Sequence, residues 1–142
     1  MKNLRNRMAA VTLVETLVVL AIVAQLAGIP MIYVKSYQEE MAAREFLALF
    51  EKRLKGEQSL AITGGVETSV VFGARRVHFS NAEVLELPDC VTLVEAPGVI
   101  SFKAASGNYS ALKKVVLYNR KKDELVTYQF QMGSGRFVKK IG

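Results

Sequence analysis

The first feature of the chain is a long apolar segment near its beginning. No formal charge occurs between Thr16 and Val34, a run of nineteen residues. At a helical rise of about 1.5 Å per residue, this run is long enough to cross most of the hydrocarbon core of a bilayer. Pro30 lies inside the run and predicts either a kink or the end of the membrane helix. The pattern predicts a membrane-spanning helix over residues 11–34.

The apolar positions then change to a helical spacing. Between residues 35 and 62 one face of the predicted helix is apolar, and the charged side chains lie around the rest of its circumference. Residues 31–55 contain no glycine, no proline and only one serine, so we expect an amphipathic continuation of the same helix over 35–62 and not a separate helix after a linker. Gly64-Gly65 is the predicted stop. The residues predicted to pack on a sheet are Phe46, Leu47, Phe50 and Leu54.

Short alternating runs typical of strands occupy the rest of the chain. The eight runs are VETSVVF, RRVHF, EVLEL, CVTLVE, VISFKA, KKVVLY, LVTYQFQ and RFVKKI. Most are separated by turn residues, so the runs predict a single antiparallel sheet in meander order with one face on the helix. The predicted fold class is α+β: a long N-terminal helix packed on a small antiparallel β-sheet formed by residues 66–142.

Length and charge limit the protein class without naming a partner. At 142 residues, the chain has room for one small globular domain besides the membrane segment. The net charge is +6, and residues 11–142 carry +3 because Lys2, Arg5 and Arg7 supply the rest. A short basic segment before an apolar run is expected to stay in the cytoplasm, which would place the C-terminal domain outside.

Glu15 is the one carboxylate at the start of the apolar segment. An acidic group costs about 2.5–3.5 kcal/mol at the centre of an inserting helix and less near an interface. If the chain were cut after Ala10, the ammonium of Val11 would lie roughly 6 Å from Glu15 along the axis. The free amide groups of the first turn would also favour the negative charge. The partner is then the chain's own ammonium or, as we favour, that of a neighbouring chain displaced along the axis.

This arrangement resembles the class III signal of the type IV pilin and pseudopilin family. In that family a basic leader ends in a small residue, and glutamate is fifth in the mature chain. Here MKNLRNRMAA precedes VTLVE, with alanine and valine where the family usually has glycine and phenylalanine. The resemblance implies a pilin-like fold, a removed leader at 1–10, cleavage between Ala10 and Val11 by a prepilin peptidase, methylation of the Val11 amine, and an assembly role for Glu15.

The remainder of the chain is similar to the ComGD-type minor pilins of the Gram-positive competence pilus. The likeness involves the short leader, FLALFEKRLKGEQSLAITGG, the small β domain and YQFQMGSGRFVKK. It implies a subunit needed for assembly of a transformation pilus at the cell surface and for uptake of extracellular DNA. The implied partners are a major pilin, other minor pilins, the prepilin peptidase, an assembly ATPase and a polytopic membrane protein. The alternatives are a type II secretion pseudopilin and a membrane-tethered DNA-binding module that never polymerises.

Basic residues lie on or beside the predicted strands, some near aromatic residues. They are Arg75, Arg76, Lys113, Lys114, Arg120, Lys121 and Lys122, with a further pair at Lys139-Lys140. One interpretation is a weak DNA-contact surface. The other, which we favour, is a set of solvated strand edges where lysine discourages aggregation.

The sequence offers little for catalysis or metal binding. His78 and Cys90 are the only histidine and cysteine, and we favour a buried thiol with a surface imidazole over a Cys-His nucleophile pair. No second histidine or carboxylate cluster has the spacing of a metal site. Gly133–Arg136 lacks the spacing of a phosphate-binding loop and is expected to be a turn. We therefore predict a non-enzymatic protein with no metal and no cofactor.

Overall fold

The chain has an α+β fold, as the hydrophobic pattern predicts. The computed structural model describes residues 12–108, 113–131 and 133–142, and for residues 29–32 the backbone alone. The described residues form one long N-terminal helix and eight strands in two antiparallel sheets. The chain divides into two compact units, Met1–Tyr37 and Gln38–Gly142; we call the second the outer unit.

Helix α1 spans Leu13–Gly64 and begins directly after Thr12. Pro30 lies within it, so the proline does not end the helix. The helix ends at the predicted glycine pair, and Gly65 has a φ of +61°. This left-handed conformation is one that glycine adopts without steric cost, which explains why the helix stops there.

Each of the eight strands overlaps one of the eight predicted runs. In chain order they are β1 Thr68–Phe72, β2 Arg76–Phe79, β3 Val84–Glu86, β4 Val91–Glu95, β5 Val99–Phe102, β6 Lys114–Asn119, β7 Glu124–Phe130 and β8 Phe137–Ile141. They form one sheet of order β3-β2-β1-β5 and another of order β4-β6-β7-β8. All their pairings are antiparallel.

The prediction of a single sheet in meander order is wrong. Strand β5 returns to pair with β1, with Ile100 opposite Val70, while β4 leaves its sequence neighbours to pair with β6. Ile100 and Val70 are fully buried, so this pairing aligns two apolar faces that would otherwise meet water. The alternation within a run determines which side is buried but not which strand lies beside it.

The buried face of α1 contacts both sheets. Phe46, Leu47, Phe50 and Leu54 are all buried in one hydrophobic core. The ring of Phe50 lies 6.2 Å from that of Phe72 in β1 and 5.2 Å from that of Tyr128 in β7, measured between centroids. Both contacts have the edge-to-face geometry that aromatic pairs prefer. One helical side chain therefore connects the two sheets.

A second connection ties the C-terminal part of α1 to two loops. The side-chain amide of Gln58 donates to the carbonyl of Ser134 at 2.9 Å and lies 3.4 Å from that of Gly107. The loops are so close that a Cβ at Gly135 would lie 2.0 Å from the Gly107 carbonyl oxygen. Glycine at 135 is thus required by the close approach as well as by its φ of +62°.

Replacing Phe50 by alanine is expected to lower the free energy of unfolding by about 3–5 kcal/mol, since a buried ring in contact with both sheets is lost. Denaturant unfolding of the full chain in detergent measures this. The control is Leu60→Ala on the same helix, where the side chain is 43 % exposed and the loss should stay below about 1 kcal/mol. Equal midpoints for the two variants would contradict the central position of Phe50.

Candidate functional site

The described side chains at the start of α1 form an exposed apolar surface. Every residue from Leu13 to Gly28 is exposed, including Leu17 at 59 % and Leu20 at 69 %. Among the described residues, α1 is the one helix long and apolar enough to cross a membrane, and it lies near the N-terminus. An apolar surface of this length needs lipid or other chains to cover it, because water around it is unfavourable.

Glu15 lies in the first turn of this helix, where its charge is close to unpaired amide groups. Its backbone N–H donates to the hydroxyl of Thr12 at 3.3 Å, so Thr12 is the N-cap and Glu15 the third helical residue. This Thr-x-x-Glu spacing is that of a capping box, a sequence signal that marks the helix start and that sequence reasoning missed. Within the described residues, the exposed carboxylate has no charged partner.

The described residues begin at Thr12. The predicted leader at 1–10 and the predicted cleavage site between Ala10 and Val11 therefore lie outside them. Cleavage, methylation and the separation of the Val11 amine from Glu15 therefore stay predictions.

Glu51 holds α1 to β7 and β8. Its Oε1 accepts hydrogen bonds from the hydroxyl of Tyr128 at 3.0 Å and from Nζ of Lys139 at 2.6 Å. Burial opposes ionisation of this carboxylate, but the hydrogen bonds from Lys139 and Tyr128, together with the positive charges of Lys139 and Lys55, lower its pKa. Burial, with the neighbouring negative charge, raises the pKa of Tyr128. At neutral pH an ionised carboxylate thus faces a protonated phenol and an ammonium.

Glu57 is a buried carboxylate beside a cavity of about 460 Å³ between α1 and the turn after β2. The residue is 5 % exposed, and its Oε2 has no hydrogen-bond partner among the described residues. Arg53, one turn earlier, instead lies 2.8 Å from Glu83 and over the ring of Phe79. Sequence reasoning missed this site. The spacing of Phe50, Leu54 and the buried Ala61 puts position 57 on the same face of the helix.

Four of the seven predicted DNA-contact residues form ion pairs with carboxylates. Arg75 pairs with Asp89, Arg76 with Glu86, Lys114 with Glu95 and Lys121 with Glu39. A cation that already has a carboxylate partner contributes less to binding phosphate, because the pair must be separated or the anion repelled.

The structure brings only part of the basic set together. Arg75 and Arg120 both lower the pKa of the Asp89 carboxyl. The largest contribution is the hydrogen bond from Arg75, and the positive charges of both arginines add to it. Lys122 lies with Arg120 in the exposed turn after the C-terminal end of β6. Lys113 and Lys114 lie at the N-terminal end of the same strand. At about 3.3 Å per residue the two ends of this strand are roughly 17 Å apart.

Cys90 and His78 have the environments expected of a core thiol and a surface imidazole. Cys90 is buried, and its Sγ donates to the carbonyl of Glu39 at 3.2 Å. His78 is exposed on β2. In the part of the chain that the structure describes, no group of three or more histidine, cysteine or acidic residues is arranged to hold a metal ion.

The chain was compared with protein-family models, curated proteins and solved structures, and none matches it. A functional assignment must therefore be argued from its own residues: the exposed apolar helix, the carboxylate at its first turn and the separately packed outer unit.

Replacing Glu51 by glutamine is expected to cost about 1–2 kcal/mol of stability at pH 7, because Lys139 loses a charged partner. A carboxylate with a lowered folded pKa stabilises the protein above its unfolded pKa and loses that contribution as the pH falls through the folded value. The difference in stability between native chain and variant should therefore shrink as the pH falls below 4.5, the ordinary pKa of a glutamate. Unfolding curves from pH 7 to pH 3 measure it, with Glu86→Gln at an exposed ion pair as control. A difference that stays constant with pH would contradict the ionic contribution of Glu51.

Replacing Glu57 by methionine is expected to stabilise the protein by about 1–3 kcal/mol, since an apolar side chain of similar length removes an unsatisfied buried carboxylate. Thermal unfolding of the full chain measures the change. Glu57→Gln is the matched control, as it removes the carboxyl group but leaves a buried polar side chain of the same size. Destabilisation by methionine would mean that the carboxylate has a stabilising partner.

Proposed function

We propose that the chain is a non-enzymatic assembly subunit of the type IV pilin and pseudopilin family, specifically a minor pilin of a competence pilus that is needed for pilus assembly and uptake of extracellular DNA. The observation that carries this proposal is Glu15: one carboxylate in the first turn of an exposed apolar helix, without a charged partner among the described residues. A charge on such a surface is stabilised when another chain supplies the opposite charge.

Leader removal would create that opposite charge. Cleavage between Ala10 and Val11 leaves an ammonium, methylated in this family, at the start of the apolar helix. When helices of neighbouring chains pack side by side with an axial offset, the ammonium of one meets Glu15 of the next. The same packing covers the apolar side chains from Leu13 onward, so one arrangement satisfies both charge and apolar surface.

The outer unit would then be displayed on the fibre. It has its own hydrophobic core, built from the buried face of α1 and both sheets, so it needs no contact with lipid to stay folded. Before assembly the basic leader would stay in the cytoplasm and the outer unit would lie outside the cell membrane. The partners in this proposal are a major pilin, other minor pilins and the prepilin peptidase, with an assembly ATPase and a polytopic membrane protein providing the energy.

The ion pairs of the outer unit weigh against a membrane-tethered DNA-binding module. Arg76 and Lys114, for example, are held by Glu86 at 2.9 Å and Glu95 at 2.8 Å. Uptake of DNA in our proposal therefore depends on the assembled pilus, with at most weak contact by this subunit. A type II secretion pseudopilin would share Glu15 and the apolar helix, and the proteins that co-purify with the chain distinguish the two machines.

The test is to replace Glu15 by valine in cells that produce the assembled fibre. Leader removal and membrane insertion should continue, because the variant is more apolar. Incorporation into sheared fibres should fall at least about tenfold, since loss of one partner of a buried charge pair costs about 3–5 kcal/mol. Immunoblots of the sheared and membrane fractions measure incorporation, and N-terminal sequencing checks that both chains begin at Val11.

Thr16→Val is the matched control, because it changes a polar residue of the same turn to the same side chain without removing a charge. Its hydroxyl only donates to the carbonyl of Leu13 within the helix. Normal fibre content for the Glu15 variant would refute the pairing, and recovery of native chain that still begins at Met1 would refute the processing step.

A further inference from the structure

Two tyrosines and a lysine mark the end of the apolar segment farthest from Glu15. Tyr33 is 73 % exposed and Tyr37 65 % exposed. Lys35, also exposed, is the first charged residue after Glu15. Among the described residues, none of these three side chains has a hydrogen-bond or ion-pair partner.

The three residues surround the helix at one level. Tyr33 and Tyr37 are four positions apart and so lie on the same side, about 6 Å from each other along the axis. Lys35 is two positions from each and points to the opposite side at about 100° per residue. The headgroup layer on each side of a bilayer is about 5–7 Å thick, so this set matches its depth.

The distance to Glu15 matches the hydrocarbon core. Glu15 and Lys35 are twenty residues apart in one helix, which corresponds to about 30 Å along the axis. The hydrocarbon core is about 30 Å thick. When Lys35 lies at one boundary of the core, Glu15 therefore lies at the other.

We infer that Tyr33, Lys35 and Tyr37 form an anchor that binds the outer phospholipid headgroup layer and sets the depth of the helix, so that Glu15 lies at the opposite boundary of the hydrocarbon core. Tyrosine suits this layer because its ring is apolar and its hydroxyl is polar. The lysine ammonium lies near lipid phosphates while its alkyl chain stays in apolar surroundings. The inference rests on the helix crossing a bilayer and does not depend on polymerisation.

The anchor determines the stage at which Glu15 needs an opposite charge. At the inner boundary a carboxylate stays hydrated and avoids most of the cost at the bilayer centre. If the chain leaves the membrane for a fibre, as in the proposed function, outward movement takes the tyrosines out of the headgroup layer and Glu15 into hydrocarbon. The ammonium of a neighbouring chain is then required during departure from the bilayer and not during insertion.

Tryptophan fluorescence measures the depth directly, because the chain contains no tryptophan of its own. Three reporters are made in the full chain: Leu13→Trp, Leu26→Trp and Tyr37→Trp. Each is placed in vesicles of phosphatidylcholine and phosphatidylglycerol that contain lipids brominated at shallow or deep acyl positions. Shallow bromines should quench positions 13 and 37 most strongly, and deep bromines position 26.

A second set of variants tests whether the anchor sets the depth. In the Leu26→Trp background, the combined changes Tyr33→Leu, Lys35→Leu and Tyr37→Leu make the apolar run longer than the hydrocarbon core. The quenching profile should broaden and its maximum should move away from the centre. The control, Val18→Leu with Val23→Leu, adds apolar volume inside the run and should leave the profile unchanged.

Three results would overturn the inference. Strong quenching of position 13 by deep bromines would place Glu15 inside the core. An unchanged profile in the triple variant would show that the anchor does not set the depth. Quenching of all three reporters by aqueous iodide alone would show that the helix is outside the bilayer. None of these measurements involves fibres, so failure of fibre assembly leaves their outcome intact.

Discussion

The contact of Phe50 with both sheets is the interaction on which the outer unit depends. Its ring packs against Phe72 of one sheet and Tyr128 of the other, and Phe46 stacks beside it at 6.2 Å. A small sheet with one apolar face needs a second layer to bury that face. The helix provides this layer for both sheets at once, so the stability of the two sheets is coupled through one helical face.

Helix α1 carries two surfaces that satisfy different surroundings. Its buried stripe, centred on Phe50, packs against other side chains of the outer unit, whereas the residues from Leu13 to Leu26 are exposed. Burial within the chain stabilises the first part. The second part needs lipid or neighbouring chains to cover it. Because Glu15 lies on that part, its stability in such surroundings depends on charge as well as on apolar area.

The three glutamates of α1 show how surroundings decide the effect of the same side chain. Glu51 has an ammonium and a phenol as partners, and its negative charge is stabilised. Glu57 has lost water without gaining a partner for Oε2. Glu15 is exposed in the isolated chain; at a bilayer boundary it would stay hydrated, and inside hydrocarbon it would lose its water. The side chain thus stabilises the fold at position 51 and destabilises it at position 57, whereas at position 15 its effect depends on what covers the helix.

Local pattern was sufficient for the elements and for the buried helix face. The period of the apolar residues predicted Phe46, Leu47, Phe50 and Leu54 as the packing stripe, and the eight alternating runs predicted the strands, because periodicity reflects which side of an element is buried. Glu15 was also identified from sequence, since an isolated charge in an apolar run is visible without coordinates.

Only the tertiary structure decided how these elements combine. The pairing of β5 with β1, and hence two sheets in place of one, depends on contacts between residues about thirty positions apart, which no local pattern encodes. The carboxylate partners of Arg75, Lys114 and Lys121 also come from other parts of the fold, as do Tyr128 and Lys139 beside Glu51. Sequence alone determined which surfaces must be covered, because composition sets their polarity; the fold decided which of them the chain covers itself.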